Sequence, residues 1–165
     1  MHRPALAAVL LLLAACGDGG GTTSQPAAPP ARAAAPAPAT DAEKAAALAS
    51  LPAPLSAGDL ENGRRVFARC RACHTLTEGG PNMTGPNLHG VFGRVAGSKD
   101  GFNYSPALRE AGFAWDAEHL DHWLENPREF LRGNKMSFAG IRDAEDRRDL
   151  IAFLKVETGY APPAA

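Results

Sequence analysis

Residues 63–74 read GRRVFARCRACH, and the last five, Cys70-Arg71-Ala72-Cys73-His74, form a C-x-x-C-H pattern. Two thiols three residues apart at a helix end can each bond one vinyl-derived carbon of a porphyrin. The adjacent imidazole then faces the iron, so the pattern reads as a covalent c-type haem attachment. Other chemistries ask for partners that the chain does not supply. A zinc site needs two further ligands at suitable spacing, whereas there is no second cysteine pair and His89, His119 and His122 are scattered. A thioredoxin-like redox pair needs a βαβ setting. A disulfide closed across two residues would be strained. The motif therefore assigns Cys70 and Cys73 to covalent attachment and His74 to one axial position of the iron.

Upstream of the motif, Asp59 is placed to cap a helix in which Leu60, Gly63, Val66 and Phe67 recur at helical spacing. Downstream, residues 75–105 are rich in Gly, Pro and Asn and read as loop. Short helices are expected over Pro106–Ala111 and Asp116–Glu125, the second with Leu120, Trp123 and Leu124 on one face and stopped by Asn126-Pro127. Another is expected over Asp143–Val156, with Leu150, Phe153 and Leu154 as its apolar stripe. No period-2 strand run is present. The expectation is a small all-α domain whose short helices and long loops need a large flat apolar cofactor to fill the middle.

An iron held by His74 has a second axial position, open to His, Met, another donor or nothing. Apart from the initiator, the methionines are Met83 and Met136. Met83 lies nine residues after His74 in a loop, too close to reach the opposite haem face. Met136 lies in the loop between Pro127 and the last helix. By residue type alone it is either the second ligand or core filler.

Composition divides the chain of 165 residues into unlike parts. All eleven aromatic residues lie between Phe67 and Tyr160, while residues 17–57 hold seven of the fourteen Pro, fifteen Ala and no aromatic. One domain of ordinary size is expected over 58–160, followed by a short tail at 161–165. Residues 1–15 resemble a secretory signal peptide, a cationic start followed by the apolar run Ala5–Ala15. That run is too short to span a bilayer, which takes about 20 residues. It ends Leu13-Ala14-Ala15-Cys16, similar to the lipobox of a bacterial lipoprotein, with Cys16 as the lipid-bearing residue. Residues 16–57 then read as a lipid-anchored Ala/Pro-rich flexible linker, lacking the large apolar side chains that offset ordering entropy. Within it, Asp41–Leu51 is compatible with a helical turn or two, ended by Pro52 and Pro54. The formal net charge of −1 excludes nucleic-acid binding by bulk electrostatics.

Several strings, in order, carry a family likeness: GRRVFARCRACH at 63–74, GPNLHGVFGR at 85–94, GFNYSPA at 101–107, LENP at 124–127, NKMSFAG at 134–140 and DLIAFL at 149–154. With them, residues 58–160 resemble class I cytochrome c of the mitochondrial and cytochrome c2 type. The resemblance implies one covalent haem c with His74 and Met136 as axial ligands. It implies that the Pro86 carbonyl accepts the proton of the ligating imidazole, and that Arg94, Tyr104 and Trp115 serve a haem propionate. Phe138 matches an aromatic beside the exposed haem edge. Gly63 and Phe67 match the contact of the first helix with Leu150 and Phe153 of the last. Trp123 stands where many relatives place a Tyr bonded to the Met sulfur, and Leu108 where many have an Asn near a buried water.

The implied function is a membrane-tethered one-electron carrier, not an enzyme, working as a monomer on the periplasmic face of a bacterial membrane. Its electrons would come from a bc1-type quinol–cytochrome c reductase and go to a terminal cytochrome oxidase or another haem or copper reductase. A peroxidase or nitrite reductase needs an open iron position, and the gas-binding four-helix proteins carry C-x-x-C-H near their C-terminus. Residues 58–165 hold 14 Lys and Arg against 15 Asp and Glu, so only a local rim from Arg69, Arg71, Lys99, Arg128, Arg132 and Lys135 is available for steering.

Overall fold

The structure, a computed structural model, describes residues 39–159. The expected signal peptide, Cys16 with residues 16–38 of the expected linker, and the tail lie outside the described residues. Among the described residues six α-helices follow one another: α1 Asp41–Ala49, α2 Leu60–Phe67, α3 Pro106–Arg109, α4 Ala117–Glu125, α5 Pro127–Phe130 and α6 Ala144–Glu157, with a 3₁₀ turn at Leu55–Ala57. Among the described residues there is no strand, only an isolated bridge between Val95 and Ala114. None of the helices is long and apolar enough to cross a membrane.

Each principal helix starts at a side-chain cap, because Asp or Thr oxygens satisfy the first free N–H groups. Asp59 accepts from Glu61 and Asn62, Asp116 from His119, and Asp143 from Glu145 and Asp146. The core is built on α6. Leu150, Ile151, Ala152, Phe153 and Leu154 are all buried, a helix segment that is apolar on every side. α2 crosses it at Gly63, where an added Cβ would lie 2.3 Å from the Asp149 carbonyl oxygen and 2.6 Å from Phe153 Cβ. One helical turn on, the Phe67 and Phe153 rings meet at 5.8 Å. Asp149, at the same crossing, accepts from the Asp59 N–H and from Asn62 Nδ2, so the start of α2 is tied to the middle of α6. Arg147 does the same for α4, donating to Asp121 at 2.8 Å.

The domain boundary expected at residue 58 lies further back. Residues 41–57 are packed rather than linker. Thr40 and Glu43 form a capping box at the start of α1. Lys44 pairs with Glu157 at 2.5 Å, and Leu51 and Leu55 are buried. Pro52 and Pro54 do end α1, but they turn the chain into the 3₁₀ segment, where Leu55 shares a crevice with Ile151. This covers the side of α6 that a single apolar stripe leaves out.

Candidate haem site

The C-x-x-C-H residues continue from the end of α2 as tight turns. The N–H groups of Cys70 and Arg71 return to the Phe67 carbonyl, and those of Cys73 and His74 to the Cys70 carbonyl. The two thiols thus sit on consecutive turns that the core-anchored α2 holds in place. Burial pushes the Cys70 thiol up to about 11, and Arg69 nearby opposes the shift.

His74 is positioned by the loop that follows it. Its Nδ1 donates to the Pro86 carbonyl at 2.7 Å, and the Gly85 N–H closes onto the Cys73 carbonyl at 2.9 Å. Gly85 lies flat against the ring: a Cβ there would stand 2.3 Å from His74 Cε1 and 2.7 Å from both ring nitrogens. Burial pulls the imidazole pKa below its ordinary value, and the Pro86 bond only partly opposes this. A carbonyl can only accept, so the Nδ1 that faces Pro86 carries a proton, and burial favours the neutral ring, whose Nε2 lone pair would be free to ligate. Asn87, not singled out in the sequence, braces this turn. Buried, it donates to Thr75 Oγ1 at 2.7 Å and to the Thr77 carbonyl at 3.0 Å, and its Oδ1 accepts from the His89 N–H. The signal was an Asn beside Pro in a glycine-rich run, the chemistry of Asx turns.

A cleft of about 730 Å³, counting space open to solvent, brings His74 and Met136 together, with Pro86, Arg94, Tyr104, Trp115 and Trp123 also in its wall. Leu88, Val91, Phe102, Leu108 and Leu120 make the rest of the wall mostly apolar. Trp115 and Trp123 pack edge-to-face at 5.5 Å, which fixes two sides of the cleft against each other. Leu108 is buried there, an apolar side chain at that part of the wall. Arg94 is half buried, and both its terminal nitrogens lie 3.4 Å from the Asn87 carbonyl. Burial lowers its pKa, and the Tyr104 hydroxyl beside it is shifted up by the same cause. A desolvated guanidinium next to a phenol, on an otherwise apolar wall, suits an anionic group at the margin of a flat apolar ligand.

Other site residues fall elsewhere. Phe138 does not line the cleft; it lies under the Arg69 guanidinium at 5.3 Å. Met83 is 47% exposed and outside the lining, which leaves Met136 as the cleft's thioether donor among the described residues. His119 is stacked rather than solvated, its ring 4.5 Å from Phe113 and its Nδ1 2.8 Å from Asp116. His122 is exposed against Phe130. Among the described residues no group of three His, Cys, Asp or Glu is placed to hold a metal ion, so nothing builds a zinc site around Cys70 and Cys73.

The donor set fits a haem c. One imidazole and one thioether share an apolar cleft, a glycine leaves room for the imidazole, a cation sits on the wall, and two thiols precede the imidazole. The family model for cytochrome c matches residues 60–156. The cytochrome c of Chlamydomonas reinhardtii is 48% identical over 103 residues, which cover 62% of this chain and 92% of that protein. For the cytochrome c of Stellaria longipes the figures are 47% over 102 residues, 61% and 94%. The cytochrome c2 of Rhodomicrobium vannielii is 42% identical over 104 residues, covering 63% of this chain and 83% of that one. Among solved structures, cytochrome cH from Methylobacterium extorquens superposes with a TM-score of 0.56 at 42% identity, over 59% of this chain and 98% of that one. Motif, cleft and relatives coincide on the same hundred residues, and the chain belongs to the cytochrome c family of electron carriers with one covalently bound haem c.

Proposed function

We propose that the protein is a membrane-tethered one-electron shuttle with His74 and Met136 as axial ligands and Cys70 and Cys73 as thioether links. It takes electrons from a bc1-type quinol–cytochrome c reductase and delivers them to a terminal cytochrome oxidase. Cys16 carries the lipid, and the domain works on the periplasmic face of the cell membrane. The observation that carries the reading is the meeting of His74 and Met136 in one apolar cleft, with the His74 Nδ1 held at 2.7 Å by the Pro86 carbonyl.

Bound haem c supplies an iron that gains or loses one electron. The protein does the rest by holding still. The Pro86 carbonyl orients the His74 ring and raises its basicity. As a soft neutral donor, the Met136 thioether would favour the reduced state of a bound haem iron and raise its potential. Trp115, Trp123, Leu108 and Leu120 keep water from the cleft, so little solvent must reorganise when charge changes. Arg94 and Tyr104 are placed to meet propionate charge that would otherwise be buried alone.

The test is the visible spectrum of the purified, haem-loaded protein, oxidised and reduced. Low-spin spectra with the weak long-wavelength band of a Met–iron bond, and no carbon monoxide binding, are expected. A high-spin spectrum with ready carbon monoxide binding would overturn the closed-site reading in favour of an enzyme or a sensor. For the anchor, the mass of the N-terminal peptide from the membrane fraction is expected to show acyl chains on Cys16; an unmodified peptide removes the tether.

A further inference from the structure

The geometry points to Asn134 as the positioning residue that keeps Met136 in ligating reach. This rests on Met136 being the second axial ligand, as proposed above. Met136 sits in the stretch between α5 and α6, residues 131–143, which has no helix of its own. Nothing regular therefore fixes the backbone next to the thioether.

Asn134 supplies that constraint with three hydrogen bonds from one side chain. Its Oδ1 accepts the Met136 N–H at 2.8 Å, closing an Asx turn around Lys135. Its Nδ2 donates to the Pro127 carbonyl at 2.7 Å and to the Leu131 carbonyl at 2.8 Å. Those two carbonyls belong to the first residue of α5 and to its C-cap. One amide thus ties the methionine backbone to both ends of a short helix. α5 is itself fixed: Pro127 is buried, and the Phe130 ring packs at 6.1 Å from Trp123 and 5.7 Å from Phe113. Trp123 is a wall of the cleft. The chain of contacts from Met136 through Asn134 and α5 therefore ends on the same cleft that Met136 lines.

Besides the bonds from Arg69 and Arg147 to the Gly140, Ile141 and Arg142 carbonyls and from the Asn134 N–H to Leu131, two further ties hold the loop at other points. Lys135 Nζ reaches the Asn103 and Tyr104 carbonyls at 3.2 and 3.4 Å. At the far end the Ile141 N–H donates to the Leu124 carbonyl at 2.8 Å. Neither fixes the Met136 peptide itself. A thioether is a weak neutral ligand, so its hold on iron depends on being presented in place, with the ordering cost already met by supporting bonds.

The test compares variants of the full haem-loaded chain by titrating the ferric protein with imidazole, which competes with Met136 for the iron, alongside thermal unfolding. Asn134→Ala is expected to bind imidazole about tenfold more tightly than wild type, the equivalent of one lost hydrogen bond of upper ordinary strength. Asn134→Ser, whose hydroxyl can keep the turn but not both α5 bonds, is expected to fall between. Asp143→Ala, which removes the α6 cap, is the control: its melting temperature falls while its imidazole affinity stays at the wild-type value. If Asn134→Ala raises the affinity less than about threefold, or if Asp143→Ala raises it equally, Asn134 is merely structural and the inference fails; should Asn134→Ala not fold, Asn134→Ser decides by the same threshold. A wild-type protein without the Met–iron band sinks the ligand assignment first, and this inference with it.

Discussion

At Gly85 the site depends on one missing carbon. The His74 ring occupies the place a Cβ would need, at 2.3 Å from Cε1, so Gly85→Ala must push either the imidazole or the Gly85–Pro86 backbone. Both ends of the Nδ1–Pro86 bond move as a result. Gly85→Ala is expected to lower the haem content per chain and to cost about 1–3 kcal/mol of stability, as overpacking usually does. Absorbance of haem relative to protein checks the first and thermal unfolding the second. Asp149 gives a second residue-scale expectation. Burial pushes its carboxyl up, but the bonds from Asn62, the Asp59 N–H and Arg148 outweigh this and hold its pKa below the usual 3.8. A folded pKa that is depressed contributes stability above the unfolded value, lost as pH falls through the folded one. Wild type is therefore expected to lose stability steadily below about pH 4, and Asp149→Asn to lose less over the same range while being less stable at pH 7. Denaturant unfolding at a series of pH values reads both.

At the scale of elements, the packing of α1 and the 3₁₀ turn against α6 is the part of the fold the sequence concealed. Thr40–Leu51 carries a capping box and good helix formers, yet it sits in an Ala/Pro-rich region and is followed at once by two prolines. Its two buried anchors, Leu51 and Leu55, are single leucines four apart, but Pro52 and Pro54 between them rule out one continuous helix. The better clue lay in α6. Leu150–Leu154 (LIAFL) is apolar on every side, and a helix buried all round needs cover on more than one face. The cap at Asp59 was legible because capping is a local rule, and so was the haem motif, where spacing alone carries the chemistry. Asn87 and Asn134 were not, because each acts through carbonyls that only the folded loops bring near. A chain beginning at Gly58 is thus expected to melt at least about 10 °C below one beginning at Ala39. Leaving Leu51 and Leu55 without a core costs about 3 kcal/mol or more. The haem spectrum should not change, since none of the residues 41–57 lines the cleft.

For the molecule as a whole, the charge distribution and the proposed tether belong together. The domain is near neutral, with 14 cationic against 15 acidic residues over 58–165. The local rim of cations is partly spent within the protein. Arg132 pairs with Glu129, Lys135 reaches backbone carbonyls, and Arg69 lies over Phe138. Long-range steering of a charged partner is correspondingly weak. An anchored carrier needs less of it, because a partner in the same membrane sees an effective concentration that can approach millimolar when the leash matches the span. With residues 41–57 inside the domain, the proposed leash runs over 17–39. Electron transfer from the soluble domain, residues 39–165, to a terminal oxidase is therefore expected to be slow and to change only a few-fold between low and physiological salt. The lipidated chain in the same membrane as the oxidase should be faster by orders of magnitude at equal protein content. Stopped-flow oxidation at several ionic strengths measures the first, and oxygen uptake by reconstituted vesicles the second. A steep fall of the soluble rate with salt would mean that the exposed cations dominate docking after all, and that the tether adds reach rather than replacing charge.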